Sequence, residues 1–329
     1  MAELLKVENL RVSYHTYAGE IRAVRDVSFS VGENEIVAIV GESGCGKSVT
    51  ARSILGLIKK PAGEIKTGSK IDFNGENVLS FSGKRRQNYL GGECSIVFQD
   101  PLSALNPTMR IGRQIVENIL VHRSISRNEA MVEAVRILGK VGIDDPERRS
   151  RQYPHELSGG MRQRVMIAIA FSCRPKLLIA DEPTTALDVT IQSRVIELLR
   201  ELHRETKTSI ILITHDLGIV AGIAERVYVM YAGKIVESGS TSNIFYHSQH
   251  PYTKALLASV PRMTMANKEP LPYIIGTPPD LAVPPAGCAF APRCKHCMNI
   301  CVEQQPEPVA YGSGHTLSCW LQSLEDAAL

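Results

Sequence analysis

Eight consecutive residues near the N-terminus have the types and order of a phosphate-binding loop. They match the pattern G-x-x-x-x-G-K-[ST] at every defined position. The eight residues are Gly41, Glu42, Ser43, Gly44, Cys45, Gly46, Lys47 and Ser48. Glycines let backbone N–H groups turn inward around phosphates, and the following helix directs its positive end at them. Lys47 can reach the β- and γ-phosphates and the Ser48 hydroxyl can bind Mg²⁺, so the run predicts a site for ATP and Mg²⁺. Cys45 is either a small filler or a reactive thiol.

Two carboxylates follow the apolar run 177–180, at a strand end where ligand-binding groups gather in open α/β sheets. Asp181 suits the coordination sphere of Mg²⁺, directly or through water. Glu182 is the candidate general base that polarises the attacking water. Together with a phosphate loop earlier in the chain, the two acids predict hydrolysis of the bound nucleotide.

His215 follows a second apolar run, residues 210–214. A polar side chain at this point can reach the γ-phosphate. From position alone, a histidine that caps the next turn together with Asp216 is an equally good interpretation.

A second anion site is indicated at Ser158, Gly159 and Gly160, just before a helical pattern that extends to about residue 171. Ser158 is a favourable N-cap, and the two glycines expose backbone N–H groups at a helix start. One ATP cannot occupy two such sites far apart in one domain. A head-to-tail pair of subunits, in which these residues of one close on the ATP of the other, explains both sites.

Strand and helix signals alternate up to about residue 240, which predicts an α/β protein with a largely parallel sheet. The pair Asn74-Gly75 predicts a β-hairpin. Helical periodicity in residues 101–157 indicates a helical insertion, with Gly142 at a helix C-terminus, and the proline-rich residues 261–308 predict an irregular appendage. Strands are predicted at residues 7–14, 24–31, 35–40, 177–180, 209–214 and 226–230, and helices at 49–58, 111–122 and 128–141.

The bulk composition excludes several classes of protein. A net charge of +3 and a densest basic run of only three residues, Lys84 to Arg86, predict no nucleic-acid partner. The first ten residues lack the apolar core of a signal peptide. No apolar run approaches the length of about 18 residues that is needed to span a bilayer. We therefore expect a cytosolic chain that can associate with a membrane protein.

With these motifs in place, the sequence resembles the ATP-binding subunits of ABC transporters over almost its whole length. Residues 41–48 resemble the Walker A loop, residues 157–161 the ABC signature and residues 177–182 the Walker B segment. Gln99 resembles the Q-loop glutamine, residues 186–188 the D-loop and His215 the switch histidine.

The resemblance implies roles for several of these side chains. Gln99 would sense the metal–phosphate site, join Ser48 and Asp181 around Mg²⁺, and lie beside the groove that receives a coupling helix of a membrane subunit. It also favours a functional His215 over a capping one.

The resemblance further implies that an aromatic near the N-terminus stacks on adenine. Tyr17 is preferred and Tyr14 is the alternative, while either can instead pack on its strand. Because Glu182 and Ser158 are both intact, the subunit is expected to serve its own site and that of its partner.

The implied fold is an ABC-type P-loop NTPase core of the α/β class, with a largely parallel sheet and an antiparallel β-subdomain. Residues 1–100 and 158–240 would form this ATP-binding core. Residues 101–157 would form a helical subdomain, and residues 241–329 an irregular, cysteine-rich C-terminal extension.

Five of the eight cysteines crowd the last stretch of the chain, which in a reducing cytosol suggests metal rather than disulfides. Residues 250–257, 276–280, 287–288 and 292–294 are similar to the C-terminal extension of oligopeptide and dipeptide permease ATPases. Four cysteines match that extension, and the resemblance implies a [4Fe–4S] cluster on them. They are Cys288, Cys294, Cys301 and Cys319.

Chemistry alone leaves the metal open. Four thiolates suit an iron–sulfur cluster or tetrahedral zinc, the spacing does not choose between them, and unmetallated thiols are a third alternative. Cys297 is interpreted as a bystander, although it can replace Cys294 or Cys301, and His296 and His315 are nearby alternatives for zinc. The expected role is structural, since a loop of low apolar content needs a clamp.

The expected function is that of the ATPase subunit of an importer of oligopeptides or dipeptides, peripheral on the cytoplasmic face of the membrane. Expected partners are a second, non-identical ATPase, two transmembrane permease subunits and an extracytoplasmic substrate-binding protein. Import of nickel or a metal chelate by the same machinery is the first alternative, because the ATPase does not contact the substrate. A soluble ABC ATPase and a metal-sensing regulator are more distant alternatives.

Overall fold

The computed structural model describes residues 2–185, 188–260, 273–312 and 314–322. The strands within these ranges are β1 (Glu3–Thr16), β2 (Gly19–Gly32), β3 (Ile36–Val40), β4 (Gly63–Ile65), β5 (Lys70–Phe73), β6 (Glu76–Asn77), β7 (Cys94–Val97), β8 (Leu177–Asp181), β9 (Ser209–Thr214), β10 (Arg226–Tyr231), β11 (Lys234–Ser240), β12 (Val309–Ala310) and β13 (Thr316–Leu317). The α-helices are α1 (Lys47–Ile54), α2 (Gly83–Tyr89), α3 (Pro101–Ala104), α4 (Ile111–His122), α5 (Arg127–Lys140), α6 (Pro146–Arg149), α7 (Gly159–Phe171), α8 (Val189–Thr206), α9 (Leu217–Ile223), α10 (Thr241–His247), α11 (Pro251–Ala258) and α12 (Asn299–Glu303).

The described residues cluster into two compact units. The helical unit contains Gly32–Glu35 and Ser80–Ile213, and the loop unit contains Glu3–Val31, Ile36–Leu79 and the described chain from Thr214 onward. The predicted boundaries at residues 100, 157 and 240 do not coincide with this division and stay a prediction.

In the loop unit, β10 lies between two different partners. It pairs in parallel with β3, whose five residues are all buried, and antiparallel with β11. Strands β13 and β12 then extend this sheet antiparallel from β11. Burial of β3 on both faces explains why its sequence is one continuous apolar run rather than an alternating one.

The loop unit also contains a five-stranded sheet that runs in the order β2-β1-β5-β6, with β4 on β1. The pairings of β1 with β4 and β5, and of β5 with β6, are antiparallel. The predicted hairpin is confirmed, since Asn74 and Gly75 both have positive φ, 51° and 82°, and connect β5 to β6. This two-residue turn with both central residues at positive φ matches the twist of an antiparallel pair.

In the helical unit, three strands run parallel in the order β7-β8-β9, and every residue of β8 and β9 is buried. Helices α4, α5 and α7 pack on one another. Apolar residues at helical spacing supply that contact, because Ile115 and Ile119 of α4 and Ala130 and Ala134 of α5 are completely buried. The predicted helix over 111–122 is confirmed at both ends by α4.

Two predicted helices deviate slightly from their observed bounds. Helix α1 ends at Ile54 rather than near residue 58, and α5 covers Arg127–Lys140 rather than 128–141. Gly142, with φ of 74°, follows the end of α5 as predicted. No helix in the described ranges is long and apolar enough to cross a membrane.

The C-terminal segment, residues 273–322 as far as they are described, has little regular structure, as its prolines predicted. A buried carboxylate anchors it to β11. Glu237 accepts hydrogen bonds from the backbone N–H groups of Gln249 at 2.6 Å and His250 at 3.2 Å, and pairs with His315 Nε2 at 2.9 Å. Since the Glu237 side chain is fully buried, each of these partners offsets the cost of removing its charge from water.

Candidate functional site

The predicted phosphate loop connects β3 to α1 in the loop unit. Gly41, Gly44 and Gly46 all have positive φ, at 151°, 79° and 103°. Such angles are available to glycine at little cost, and turns of this kind can direct backbone N–H groups at a bound anion. The strand before and the helix after are therefore both in the arrangement that the motif requires.

Two of the loop glycines are required by close packing. A Cβ at residue 41 would overlap the carbonyl oxygen of Met230 on β10. A Cβ at residue 46 would lie 2.5 Å from the carbonyl oxygen of Ala23 and 2.8 Å from Cε of Met230. Because the obstacles at both positions include backbone atoms, no small side-chain adjustment can make room.

The Lys47 side chain is buried and crosses the loop from inside. Its Nζ donates to the carbonyl oxygens of Gly41 at 2.8 Å and Glu42 at 3.0 Å. Cys45 is buried as well, and burial raises the pKa of its thiol. The Cys45 thiol therefore stays protonated near neutral pH, so the filler interpretation is favoured over the reactive one.

In the helical unit, the structure brings the predicted base and the Q-loop glutamine together. Gln99 Nε2 donates to Glu182 Oε2 at 3.0 Å, and the Thr185 hydroxyl donates to the same oxygen at 2.9 Å. Glu182 has a φ of 49°, which is rare for a residue with a side chain, and its backbone N–H bonds to the Ile213 carbonyl at 2.9 Å. Asp181, the residue before, is buried at the end of β8.

The signature segment of the helical unit has the predicted cap. Ser158 is the N-cap of α7, and its hydroxyl accepts from the Met161 backbone N–H at 3.3 Å. Gly159 is exposed, so its backbone is accessible at the helix start. A Cβ on Gly160 would lie 3.1 Å from the Ile191 side chain, which leaves little room for any larger residue. Of the D-loop, Ala186 and Leu187 lie outside the described residues, while Asp188 is the N-cap of α8.

The turn after β9 separates the two interpretations of His215. Asp216 is the N-cap of α9 and accepts from the Gly218 N–H at 2.8 Å, so the cap is provided by the aspartate. His215 is exposed. The capping interpretation therefore loses its support, and the functional role of His215 stays a prediction.

The two candidate adenine-stacking tyrosines differ in exposure. Tyr17 lies in the turn between β1 and β2 and is fully exposed, with a whole ring face available to a ligand. Tyr14 is half-buried on β1, and its ring would lie 2.9 Å from a Cβ placed at Gly63. Packing thus engages Tyr14, and Tyr17 stays the preferred candidate.

Four of the five cysteines of the C-terminal segment line one small cavity. Its lining comprises Cys288, Cys294, Cys301 and Cys319 together with His250 and His296. Burial raises the pKa values of Cys288 and Cys294 and that of Cys319 to about 11. Cys297 is exposed and does not line the cavity, and His315 is engaged by Glu237, so neither is favoured as a ligand.

One observation argues against a metal in this cavity, and one argues for it. In the described part of the chain, no group of three or more His, Cys, Asp or Glu side chains is arranged to hold a metal ion. The cavity nevertheless contains a buried polar group without a partner, His250 Nε2. The Tyr252 N–H donates to His250 Nδ1 at 3.0 Å, and burial lowers the pKa of His250 to about 3, so the neutral ring carries its proton on Nε2. A buried N–H donor suits an anionic neighbour such as metal-bound sulfur.

A groove of about 730 Å³ in the helical unit was not identified from the sequence. Its apolar lining includes Met131, Val132 and Val135, and Val132 is 71% exposed. The lining also includes several arginines, among them Arg110, Arg127 and Arg151. Glu147 is the one carboxylate among the described lining residues. The sequence pattern that could have revealed this groove lies in α5, where some of the apolar residues stay exposed to solvent.

A second feature missed from the sequence is a contact made by the phosphate loop itself. Glu42 forms an ion pair with Arg293, at 2.6 Å between Oε2 and Nη1. Arg293 lies between Pro292 and Cys294 in a segment similar to permease ATPases, but the pattern gave it no role.

Comparison with known proteins assigns two parts of the chain to described families. Residues 24–185 match the family described as ABC transporter, and residues 236–301 match the family described as oligopeptide/dipeptide transporter, C-terminal region. The dipeptide transport ATP-binding protein DppD of Bacillus subtilis is 51% identical over 322 residues, covering 98% of this chain and 96% of the relative. The oligopeptide transport ATP-binding protein OppD of the same organism is 51% identical over 321 residues, covering 98% and 89%.

A solved structure supports the fold. The dimeric, post-hydrolysis structure of the ATP-binding cassette MJ0796 with ADP and phosphate has a TM-score of 0.64 and 25% identity to this chain. The match covers 72% of this chain and 98% of that cassette.

The close packing of Gly41 leads to a first prediction. Gly41→Ala should reduce the affinity for ATP more than about ten-fold, because the added methyl group displaces the loop from β10. Gly44→Ala is the matched control, since nothing lies within 4 Å of a Cβ at that position. It should cost less, through backbone strain alone. Titration of a fluorescent ATP analogue on the purified chain measures both, and equal losses would contradict the packing argument.

Proposed function

Because the chain belongs to the ABC transporter family, in its oligopeptide and dipeptide branch, we propose that it is the ATPase subunit that drives peptide import through partner membrane subunits. The similarity that carries this proposal is 51% identity over 98% of the chain to ATP-binding proteins of dipeptide and oligopeptide transport. The C-terminal family match favours peptides over nickel or a metal chelate. It also favours a transporter over a soluble ABC ATPase or a metal sensor.

The proposed chemistry assigns each predicted residue a step. Residues 41–48 hold the phosphates, and Tyr17 stacks on adenine. Mg²⁺, when bound, neutralises charge on the phosphates, and oxygens of Ser48, Gln99 and Asp181 would hold it. These are hard oxygen donors of the kind that Mg²⁺ prefers.

Hydrolysis requires a water oriented and polarised for attack on the γ-phosphate. Glu182 is the proposed base, and His215 is proposed to contact the γ-phosphate. Support for Glu182 comes from its positive φ and from the two donors that hold one carboxylate oxygen, Gln99 and Thr185. These contacts orient the carboxylate before the reaction, which reduces the reorganisation needed in the transition state.

The proposed working unit is a dimer of ATPase subunits. Ser158, Gly159 and Gly160 at the start of α7 would complete the site of the partner. The exposed Gly159 supports this, because N–H groups at a helix start attract anions; the Ser158 hydroxyl already accepts from one of them, the Met161 N–H. The second ATPase is proposed to be a non-identical paralogue, and the pair is proposed to lie on the cytoplasmic face of the membrane with an extracytoplasmic binding protein on the other side.

The groove of the helical unit is the proposed docking site of the membrane subunits. Its apolar strip and arginines complement an amphipathic helix that has acidic residues along its edges. Such a contact lets ATP-driven movement of the ATPase reach the membrane-spanning subunits without a covalent link.

Glu182→Gln tests the catalytic proposal. Loss of the base should reduce turnover at least about 100-fold while ATP remains bound, so the dimer accumulates in its ATP-bound form. Glu197→Gln, an exposed acid on α8, is the control and should retain normal turnover. Phosphate release and size-exclusion chromatography with ATP measure the two effects. Normal turnover of Glu182→Gln would remove Glu182 as the base.

Val132→Asp tests the docking proposal. A carboxylate in the apolar strip should reduce co-purification with the membrane subunits, because it removes apolar contact and competes with the acidic partner helix for the groove arginines. ATP binding by the isolated chain should be unaffected. Val121→Asp is the matched control, since Val121 is 52% exposed on α4 and does not line the groove. If both variants co-purify equally, the groove is not the docking site.

The finer proposal for the C-terminal cysteines is a structural [4Fe–4S] cluster on Cys288, Cys294, Cys301 and Cys319, with zinc as the alternative. The four thiols on one cavity and the buried His250 N–H support it. Such a group would link separate turns of a segment with few regular hydrogen bonds.

Anaerobic purification followed by iron, sulfide and zinc analysis tests the metal proposal. The chain should contain iron and acid-labile sulfide in equal amounts, and Cys288→Ser should lose both together with thermal stability of the segment. Cys297→Ser should retain them, because its exposed thiol is outside the cavity. Zinc alone would replace the iron–sulfur proposal, and a metal-free stable chain would refute both.

A further inference from the structure

The C-terminal segment contacts the phosphate loop through one ion pair. Arg293 Nη1 donates to Glu42 Oε2 at 2.6 Å, and Nη2 donates to Oε1 at 3.0 Å. The Arg293 side chain is 5% exposed and the Glu42 side chain 22%. Bidentate pairs of guanidinium and carboxylate are among the strongest side-chain hydrogen bonds, and low exposure reduces their screening by solvent.

Other groups hold Arg293 in this orientation. Its Nη1 also donates to the Tyr231 hydroxyl at 3.1 Å, and its Nε and Nη2 donate to the carbonyl oxygens of Ile275 at 3.0 Å and Ile274 at 3.2 Å. An arginine side chain stays charged under ordinary conditions, so it supplies a fixed positive charge here. The planar fork is thus saturated with acceptors from the loop, from β10 and from its own segment.

The charge of Glu42 explains why a cationic partner would favour binding of a nucleotide. Glu42 occupies a position of the motif at which any residue is allowed. A carboxylate there repels the negative charge of a nucleoside triphosphate. The Glu42 backbone N–H donates to the Tyr252 hydroxyl at 2.9 Å, so the position is held from a second side. Pairing with Arg293 neutralises the carboxylate and fixes its direction.

Attachment of the segment does not depend on Arg293 alone. Tyr231, Tyr252 and Phe290 form an aromatic cluster with ring centroids 4.5 to 5.4 Å apart. Burial of three aromatic rings stabilises the docked segment through apolar contact. We therefore expect the segment to remain in place when the ion pair is removed.

We propose that Arg293 is a positioning residue for ATP binding: it neutralises and orients Glu42, so that the phosphate loop binds ATP tightly only while the C-terminal segment is docked. The proposal rests on the proposed function of residues 41–48 as the ATP site. It assigns the C-terminal segment a direct effect on nucleotide affinity in addition to its structural role.

Arg293→Met is the direct test in the full-length chain, measured as KM for ATP, kcat and melting temperature. KM should rise about ten-fold with little change in kcat, because repulsion from Glu42 opposes binding more than the chemical step. The double variant Glu42→Gln/Arg293→Met removes the repelling charge too and should recover most of the loss. A double variant as impaired as Arg293→Met would overturn the proposal, as would an unchanged KM in Arg293→Met.

Arg25→Met is the matched control. Its guanidinium donates to the Pro285 carbonyl of the same segment at 3.3 Å, so it removes a segment contact without removing the Glu42 pair. KM for ATP should stay within about two-fold of wild type. A ten-fold rise in this variant would show that any loosening of the segment suffices, and would overturn the specific role of Arg293.

Two further variants keep the test decisive. Should Arg293→Met fail to fold, Arg293→Lys retains the charge but loses the parallel hydrogen bonds, and should raise KM about three-fold; an unchanged KM then overturns the proposal. Lys47→Ala should abolish ATP binding. If it does not, the proposed function of the loop fails, whereas loss in Lys47→Ala beside a normal Arg293→Met refutes only the inference.

Discussion

The phosphate loop lies so close to the backbone of β10 and β2 that Gly41 and Gly46 cannot carry a side chain. This close packing fixes the position of the loop against the two strands. The loop packs against the carbonyl groups of Met230 and Ala23, and the Lys47 side chain crosses it to bond the carbonyl oxygens of Gly41 and Glu42. The parallel pairing of β3 with β10 supplies the rigid base, and burial of β3 on both faces makes that base resistant to movement.

The C-terminal segment solves a different problem, since it must stay folded with few regular hydrogen bonds. Buried polar pairs and aromatic rings replace a continuous core. Glu237 accepts hydrogen bonds from two backbone N–H groups and pairs with His315. Arg293 donates to four different acceptor groups. Buried charges of this kind specify one arrangement because any other leaves them unpaired. The segment is thereby held in register with the loop whose Glu42 it contacts.

In the helical unit, the candidate base is oriented before any ligand is considered. Glu182 has a backbone angle that costs energy, and Gln99 and Thr185 hold its carboxylate. On the same unit, the groove bordered by α5 has apolar residues that its own packing leaves exposed. The proposed base and the proposed docking groove thus share the unit whose strands β8 and β9 are completely buried.

The sequence by itself determined the chemistry and most of the elements. The spacing of Gly41, Lys47 and Ser48, the acids after an apolar run, the Asn74-Gly75 turn and the helical period of 111–122 are local properties, set by backbone sterics and side-chain periodicity. Tertiary structure alone decided which distant residues meet. The pairing of Glu42 with Arg293 joins residues 251 positions apart, for which local pattern contains no signal. Which thiols line one cavity was likewise decided by tertiary structure, because Cys319 is distant in sequence from Cys288 and Cys294.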